Sequence, residues 1–206
     1  FFQPTQNYAI RFIFSELLEV DMNIIGIMGS PRKQGNTEFL LKKVIEGAKA
    51  AGDQSGVFQP NLMNLRGCQA CDACKTKGRC VIQDDMQSVY RAIDAADLLL
   101  FASPVYMWSM SAQLKLVLDR LYAYMNADYT SRLAKPVKVG LVFTQHRADA
   151  SGFMPYFHSV AEILKLIGFD PAPDVFVGAG LSEPGQAEEN TAMVFEAIQY
   201  GRRLRG

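Results

Sequence analysis

Between residues 23 and 203 the chain switches five times from a strand-length apolar run to a helix-length amphipathic one. The apolar runs fall at 23–28, 57–65, 97–102, 137–143 and 175–177, and the helical patterns at 37–51, 84–96, from 111, at 151–166 and at 186–203. Leu98-Leu99-Leu100-Phe101-Ala102 shows no polar alternation, as a central parallel strand covered on both faces requires. Pro60 suits the second run to an edge. Units of roughly 30 residues joined by right-handed crossovers predict an α/β fold. Its core is a doubly wound, five-stranded parallel sheet in the order 2-1-3-4-5 between two helical layers. Ligands of such sheets sit outside the carboxyl ends of the strands, where the order reverses. Residues 29–37, 103–110 and 144–152 are expected to meet there.

Composition narrows the function. With 206 residues, 49% of them apolar, residues 22–206 form one domain preceded by an extension at 1–21. In that extension Phe12, Ile13, Phe14, Leu17, Leu18 and Val20 suit a short amphipathic packing segment. Lys plus Arg equal Asp plus Glu at 21 each, so no global charge draws the chain to nucleic acid or to an anionic membrane. No apolar stretch approaches the roughly 18 residues of a spanning helix, and no secretory leader is evident. The expectation is a cytoplasmic protein with a small-molecule or protein partner.

The first crossover carries the chemistry. Its strand empties into Gly29-Ser30-Pro31-Arg32-Lys33-Gln34-Gly35-Asn36-Thr37 before a helix, which puts unpaired N–H groups and a positive helix end in one place. Ser30, Asn36 and Thr37 can donate to phosphate oxygens and Arg32 can balance a dianion. A plain helix cap at Asn36 or Thr37 is the alternative. The loop is neither Gly-x-Gly-x-x-Gly nor a P-loop. A helix terminus contributes only about 0.3 to 2 kcal/mol to a bound anion, whereas nanomolar retention needs about 12 kcal/mol. A second element must therefore hold the rest of the ligand.

Pro104, Val105, Tyr106, Met107, Trp108 and Met110 are large and apolar for a strand's carboxyl end, and suit either a flat ring held by stacking or a core or dimer patch. Thr144, Gln145, His146 and Arg147 are placed to donate to the polar edge of such a ring, or to form a polar surface loop. His146 and His158, the only histidines, are not assigned as bases.

Cys68, Cys71, Cys74 and Cys80 give Cys-x2-Cys-x2-Cys-x5-Cys within 13 residues that lack any hydrophobic period. Two-residue gaps let successive thiolates converge on one centre, as in iron–sulfur proteins, although the last gap differs from the common ferredoxin spacing. Tetrahedral zinc and disulfides are the alternatives. Asp84, with Gln87 three residues on, reads as the capping box of the next helix.

Gly29-Ser30-Pro31-Arg32 with Gly35-Asn36-Thr37, Ser103-Pro104-Val105-Tyr106, and Ser111-Ala112-Gln113-Leu114-Lys115 with Asp119-Arg120 together resemble the NADPH-dependent FMN reductase branch of the flavodoxin-like superfamily. The resemblance spans the chain from Met22 to the last helix. It implies FMN, with its phosphate at Ser30, Arg32, Gly35, Asn36 and Thr37, its ring at Pro104, Val105, Tyr106, Met107 and Trp108, and further contacts from Thr144 and Gln145. It also implies a homodimer or homotetramer. Gln145-His146-Arg147 departs from the small or Gly-rich third loop usual in that branch. The cysteine motif is similar to that of the iron–sulfur flavoproteins, which implies a [4Fe–4S] cluster at Cys68, Cys71, Cys74 and Cys80. The expected activity is an FMN-dependent oxidoreductase that takes electrons from NAD(P)H and passes them to a flavin, quinone or iron–sulfur acceptor. An electron carrier working with ferredoxin-like partners is the alternative.

Overall fold

The computed structural model describes residues 21–206. The expected amphipathic packing of 1–20 lies outside the described residues. Three of the apolar runs become the three central strands: β1 (Asn23–Met28), β3 (Leu98–Tyr106) and β5 (Lys138–Thr144). Around them stand β2 (Gln54–Phe58), β4 (Ser109–Met110), β6 (Asp170–Pro171) and β7 (Phe176–Gly178). The sheet runs β2-β1-β3-β5-β6, with β7 also parallel to β5 and β4 antiparallel to β3. Because β6 and β7 are two pieces of one edge position, the parallel positions follow the expected 2-1-3-4-5 order.

The helices are α1 (Asn36–Ala48), α2 (Ala73–Lys77), α3 (Met86–Ala95), α4 (Ala112–Arg120), α5 (Met154–Ile167), α6 (Gln186–Glu189) and α7 (Thr191–Arg205). Strand side chains alternate between two cores. Ile25, Ile27, Leu99, Phe101, Val139, Leu141 and Phe143 face the layer of α3, α4 and α5, where Phe143 stacks on Phe157 at 4.0 Å. Ile24, Met28, Leu98, Leu100 and Val142 face α1 and α7.

Three elements differ from their sequence expectation for local reasons. The second strand ends at Phe58 because Pro60 opens a 3-10 turn over Pro60–Leu62. The third strand continues to Tyr106 and folds back as a hairpin, so residues 103–106 are sheet rather than loop. The last helix breaks at Asn190, whose side chain caps α7 by accepting from Met193 N at 3.0 Å.

α1 and α7 touch backbone to backbone. A Cβ at Gly201 would lie 2.0 Å from Val44 O, and one at Gly47 2.0 Å from Ile198 O. Gly201→Val is therefore expected to push α7 off α1 and cost about 1–3 kcal/mol or more, read as a lower urea midpoint. A wild-type midpoint would mean that the helices can separate freely.

Two carboxylates pin the amino ends of the strands. Asp53 accepts from Met22 N and Ala50 N, both at 2.7 Å, and pairs with Arg205. Asp97 accepts from Asn23 N at 2.9 Å and pairs with Lys135. Burial pushes both acids up, but these hydrogen bonds and charges outweigh it and hold each below the usual carboxylate range. A depressed folded-state pKa adds stability that is present above the unfolded value, about 4, and is lost as pH falls through the folded one. Urea titrations are thus expected to give a stability that is level between pH 7 and 5 and falls at pH 3. A gain on acidification would contradict these contacts.

Candidate functional site

The carboxyl ends of β1, β3 and β5 open on a cavity of about 340 Å3. Ser30, Arg32, Gly35, Asn36 and Thr37 line it from the first loop, Pro104, Val105 and Tyr106 from β3, and Thr144, Gln145 and His146 from the end of β5. The sequence-predicted loops therefore meet, with four qualifications about what their side chains do.

The first loop is fixed at its root. Gly29 N donates to Ala102 O at 2.7 Å, and the Ser111 hydroxyl, itself the cap of α4, donates to Gly29 O at 2.7 Å. Ser30 is buried and its Oγ accepts from Arg32 N at 3.2 Å, which leaves its O–H free to donate. Gly35 has no side chain to cap α1, so the first N–H groups of that helix face the cavity end uncapped. Thr37 Oγ1 and Thr144 Oγ1, both buried, lie 2.6 Å apart. One proton sits between them, and the other is left for a third acceptor. Among the described residues Arg32 has no acidic partner; its Nη1 donates to Ser182 O at 3.4 Å.

Asn36 plays a different part from the expected donor. Its Nδ2 donates to Glu183 O at 2.8 Å and its Oδ1 accepts from Ala187 N at 3.1 Å, so the amide ties α1 to α6 and to the turn before it. Its backbone N–H and the second hydrogen of Nδ2 remain for an anion.

Gln145 reverses the sense expected of it. Its Nε2 donates to Arg147 O at 3.0 Å and Asp149 O at 2.7 Å, which fixes the amide orientation. The buried Oε1 is left without a partner among the described residues. At Gln145 the third loop thus presents an acceptor, and that atom fits a ligand N–H or O–H.

Met107 and Trp108 are not in the cavity wall. They form the two-residue turn between β3 and β4, at φ 44° and 65°, and are 86% and 70% exposed. A tight hairpin asks for left-handed residues at both positions, where Asn-Gly is the usual choice. Holding a Met and a Trp there costs on the order of 1–2 kcal/mol each.

Leu181 and Ser182, after β7, also line the cavity and were missed by sequence reasoning. The Pro184-Gly185 turn just beyond the last strand's carboxyl end was the available signal.

The four cysteines lie apart from this cavity but together, in the wall of a second, small one. All four stand as free thiols. Ala70 and Asp72, between them, adopt left-handed φ values of 50° and 52°, and α2 interrupts the expected loop. The loop backbone is clamped from outside. Arg132 donates to Cys74 O at 2.8 Å and Lys75 O at 3.1 Å, Lys75 donates to Met125 O at 2.6 Å, and Gln87 donates to Cys80 O and Ile82 O at 3.2 and 2.7 Å. Gln87 is thus no capping partner. Asp85 takes the N-cap position of α3, and Asp84 turns inward to a fully buried Arg120. Among the described residues no group of three or more Cys, His, Asp or Glu could hold a single metal ion. A cubane cluster spreads its four thiolates wider than one tetrahedral ion does, so four thiols around a shared cavity fit the cluster better than zinc.

Sheet order and cavity position define a flavodoxin-like α/β protein with its ligand site at the topological switch point. A profile of the NADPH-dependent FMN reductase family matches residues 22–155, and the chain belongs to that family. Over 99 residues it is 41% identical to an iron-sulfur flavoprotein of Methanosarcina thermophila, an alignment covering 48% of this chain and 52% of that one. The chain therefore matches about half the length of that relative. Among solved structures it is similar to an NAD(P)H:quinone oxidoreductase from Methanothermobacter marburgensis, with TM-score 0.69, 17% identity, and 91% and 98% of the two chains covered. It is also similar to a flavodoxin, WrbA-like protein from Agrobacterium tumefaciens, with TM-score 0.59, 17% identity, and 90% and 96% covered. At these identities the two structures speak for the fold alone. No helix among the described residues is long and apolar enough to cross a membrane.

Proposed function

We propose that the chain is an FMN-dependent oxidoreductase that takes electrons from NAD(P)H and carries a [4Fe–4S] cluster in the separate cavity of the cysteine loop. Membership of the FMN reductase family supports the flavin and the nicotinamide donor. The observation that carries the reading is the cavity itself: hydroxyls, uncapped N–H groups and an unpaired guanidinium converge at one end, and an unpartnered buried acceptor waits at the side.

In this reading Ser30, Arg32, Thr37 and the N–H groups after Gly35 bind the phosphate, and Asn36 holds that loop against α6. Pro104, Val105 and Tyr106 support the ring, with Met107 and Trp108 on the hairpin tip as its outer cover. Thr144 completes the hydroxyl pair and Gln145 accepts from the ligand's polar edge. Bound FMN would supply the capacity to take two electrons at once and release them singly. The protein's part is to hold that ring still, shield one face and leave the other open. Gln145→Leu removes the acceptor and is expected to weaken FMN binding about 5- to 10-fold, the worth of a hydrogen bond of about 1–1.5 kcal/mol, read by fluorescence titration. Unchanged affinity would take Gln145 out of the site.

Cys68, Cys71, Cys74 and Cys80 hold the cluster. The shared cavity supports this, as does the likeness to a protein named an iron-sulfur flavoprotein. That likeness also favours a second reading, an electron carrier exchanging with ferredoxin-like partners and scarcely using nicotinamide. Steady-state NAD(P)H oxidation separates the two: the enzyme turns over many times and the carrier does not. A cytoplasmic homodimer or homotetramer is the form in which we expect it to act.

A further inference from the structure

Among the described residues two buried side-chain polar atoms lack a hydrogen-bond partner: Gln145 Oε1, in the cavity already assigned, and Arg120 Nε. Both terminal nitrogens of Arg120 are engaged. Its Nη1 donates to Asp84 Oδ2 at 2.8 Å and Arg66 O at 2.7 Å, and its Nη2 donates to Asp84 Oδ1 at 3.1 Å. Both side chains are only 1% exposed. The Tyr90 hydroxyl lies beside the guanidinium but donates its hydrogen to Arg120 O at 2.7 Å; a buried guanidinium N–H without an acceptor is costly, so a bound group that accepts from Nε would relieve that cost. Arg120 is the one arginine in the wall of the cavity that all four cysteines share.

We propose that Arg120 donates its Nε–H to a sulfur of the cluster, a cysteine thiolate or a bridging sulfide, and thereby raises the cluster's reduction potential. The inference rests on the cluster reading above. One-electron reduction adds a negative charge that spreads over the sulfurs, and a donor aimed at one of them favours the reduced state. Asp84 balances the guanidinium charge, so the effect is that of a directed N–H bond rather than of a bare cation. Asp84 is then the positioning residue: its bidentate grip holds Nη1 and Nη2 and leaves Nε as the one nitrogen of the fork without a partner among the described residues.

The test is a redox titration of protein shown to carry iron and sulfide, using dithionite with mediators and reading the reduced cluster by EPR. Arg120→Lys keeps the charge and removes the Nε–H. Its midpoint is expected to fall by the equivalent of about a tenfold shift in the reduction equilibrium, about 59 mV for one electron. An unchanged midpoint with iron retained overturns the inference and leaves the cluster reading standing. A wild-type protein without iron or sulfide overturns both. Should the variant lose its iron or fail to fold, wild-type protein labelled with 15N at arginine Nε decides the matter by pulsed EPR. Coupling of one such nitrogen to the reduced cluster is expected, and its absence overturns the proposal.

Discussion

Asp84→Ala is expected to cost about 3–5 kcal/mol of stability, the usual penalty for leaving one member of a buried ion pair without its partner. The carboxylate accepts from both terminal nitrogens of Arg120, from Arg66 N at 2.9 Å and from Met86 N at 3.1 Å. Removing it strands a guanidinium beneath the cysteine loop and frees both of that loop's ends. Burial alone would raise the acid, yet the Arg120 hydrogen bonds, the Arg66 N–H and the Arg120 charge hold it below its ordinary range. Its contribution is therefore complete at neutral pH. Urea unfolding at pH 7 measures the loss, and a change under about 1 kcal/mol would show that the pair behaves as a surface one. The double variant Asp84→Leu/Arg120→Met is expected to recover much of the loss, because an apolar pair of similar volume needs no compensation.

Arg32→Ala combined with Thr37→Val is expected to weaken FMN binding by roughly 100- to 10,000-fold, two charge-assisted hydrogen bonds at about 1.5–3 kcal/mol each. Arg32 brings the cavity's unpaired guanidinium, and Thr37 half of the hydroxyl pair that has one proton to spare. Thr37→Val keeps the shape, so the loss reads the hydroxyl rather than the packing. Riboflavin, which lacks the phosphate, is expected to bind wild type and double variant alike. Equal FMN affinity in the two proteins would remove the phosphate from this loop.

The parts of this molecule written locally were legible in the sequence. Leu98 to Ala102 has to be a central strand because no other element buries five consecutive apolar residues so cheaply, and Gly29 to Thr37 has to be a loop before a helix. What was not legible depended on long-range partners. Asp84 and Gln87 have capping-box spacing, but Arg120, 36 residues on from Asp84, and the carbonyls of the cysteine loop claim them first. The direction of the Gln145 amide is set by two carbonyls of its own turn, which no spacing rule reveals. Asn36 reads as a phosphate donor alone, whereas the segment at 183–187, distant in sequence, also engages its amide. Trp108 reads as a ring platform from its type alone, whereas the two-residue turn sets it on an exposed tip.

The most direct test of the proposal that this chain holds both a flavin and a cluster is the visible spectrum of protein purified without oxygen, with iron and acid-labile sulfide assayed on the same sample. The account predicts flavin bands, a broad cluster absorption beneath them, and about four irons and four sulfides per chain. Protein that lacks iron, or that shows no flavin even after FMN is added, would contradict it.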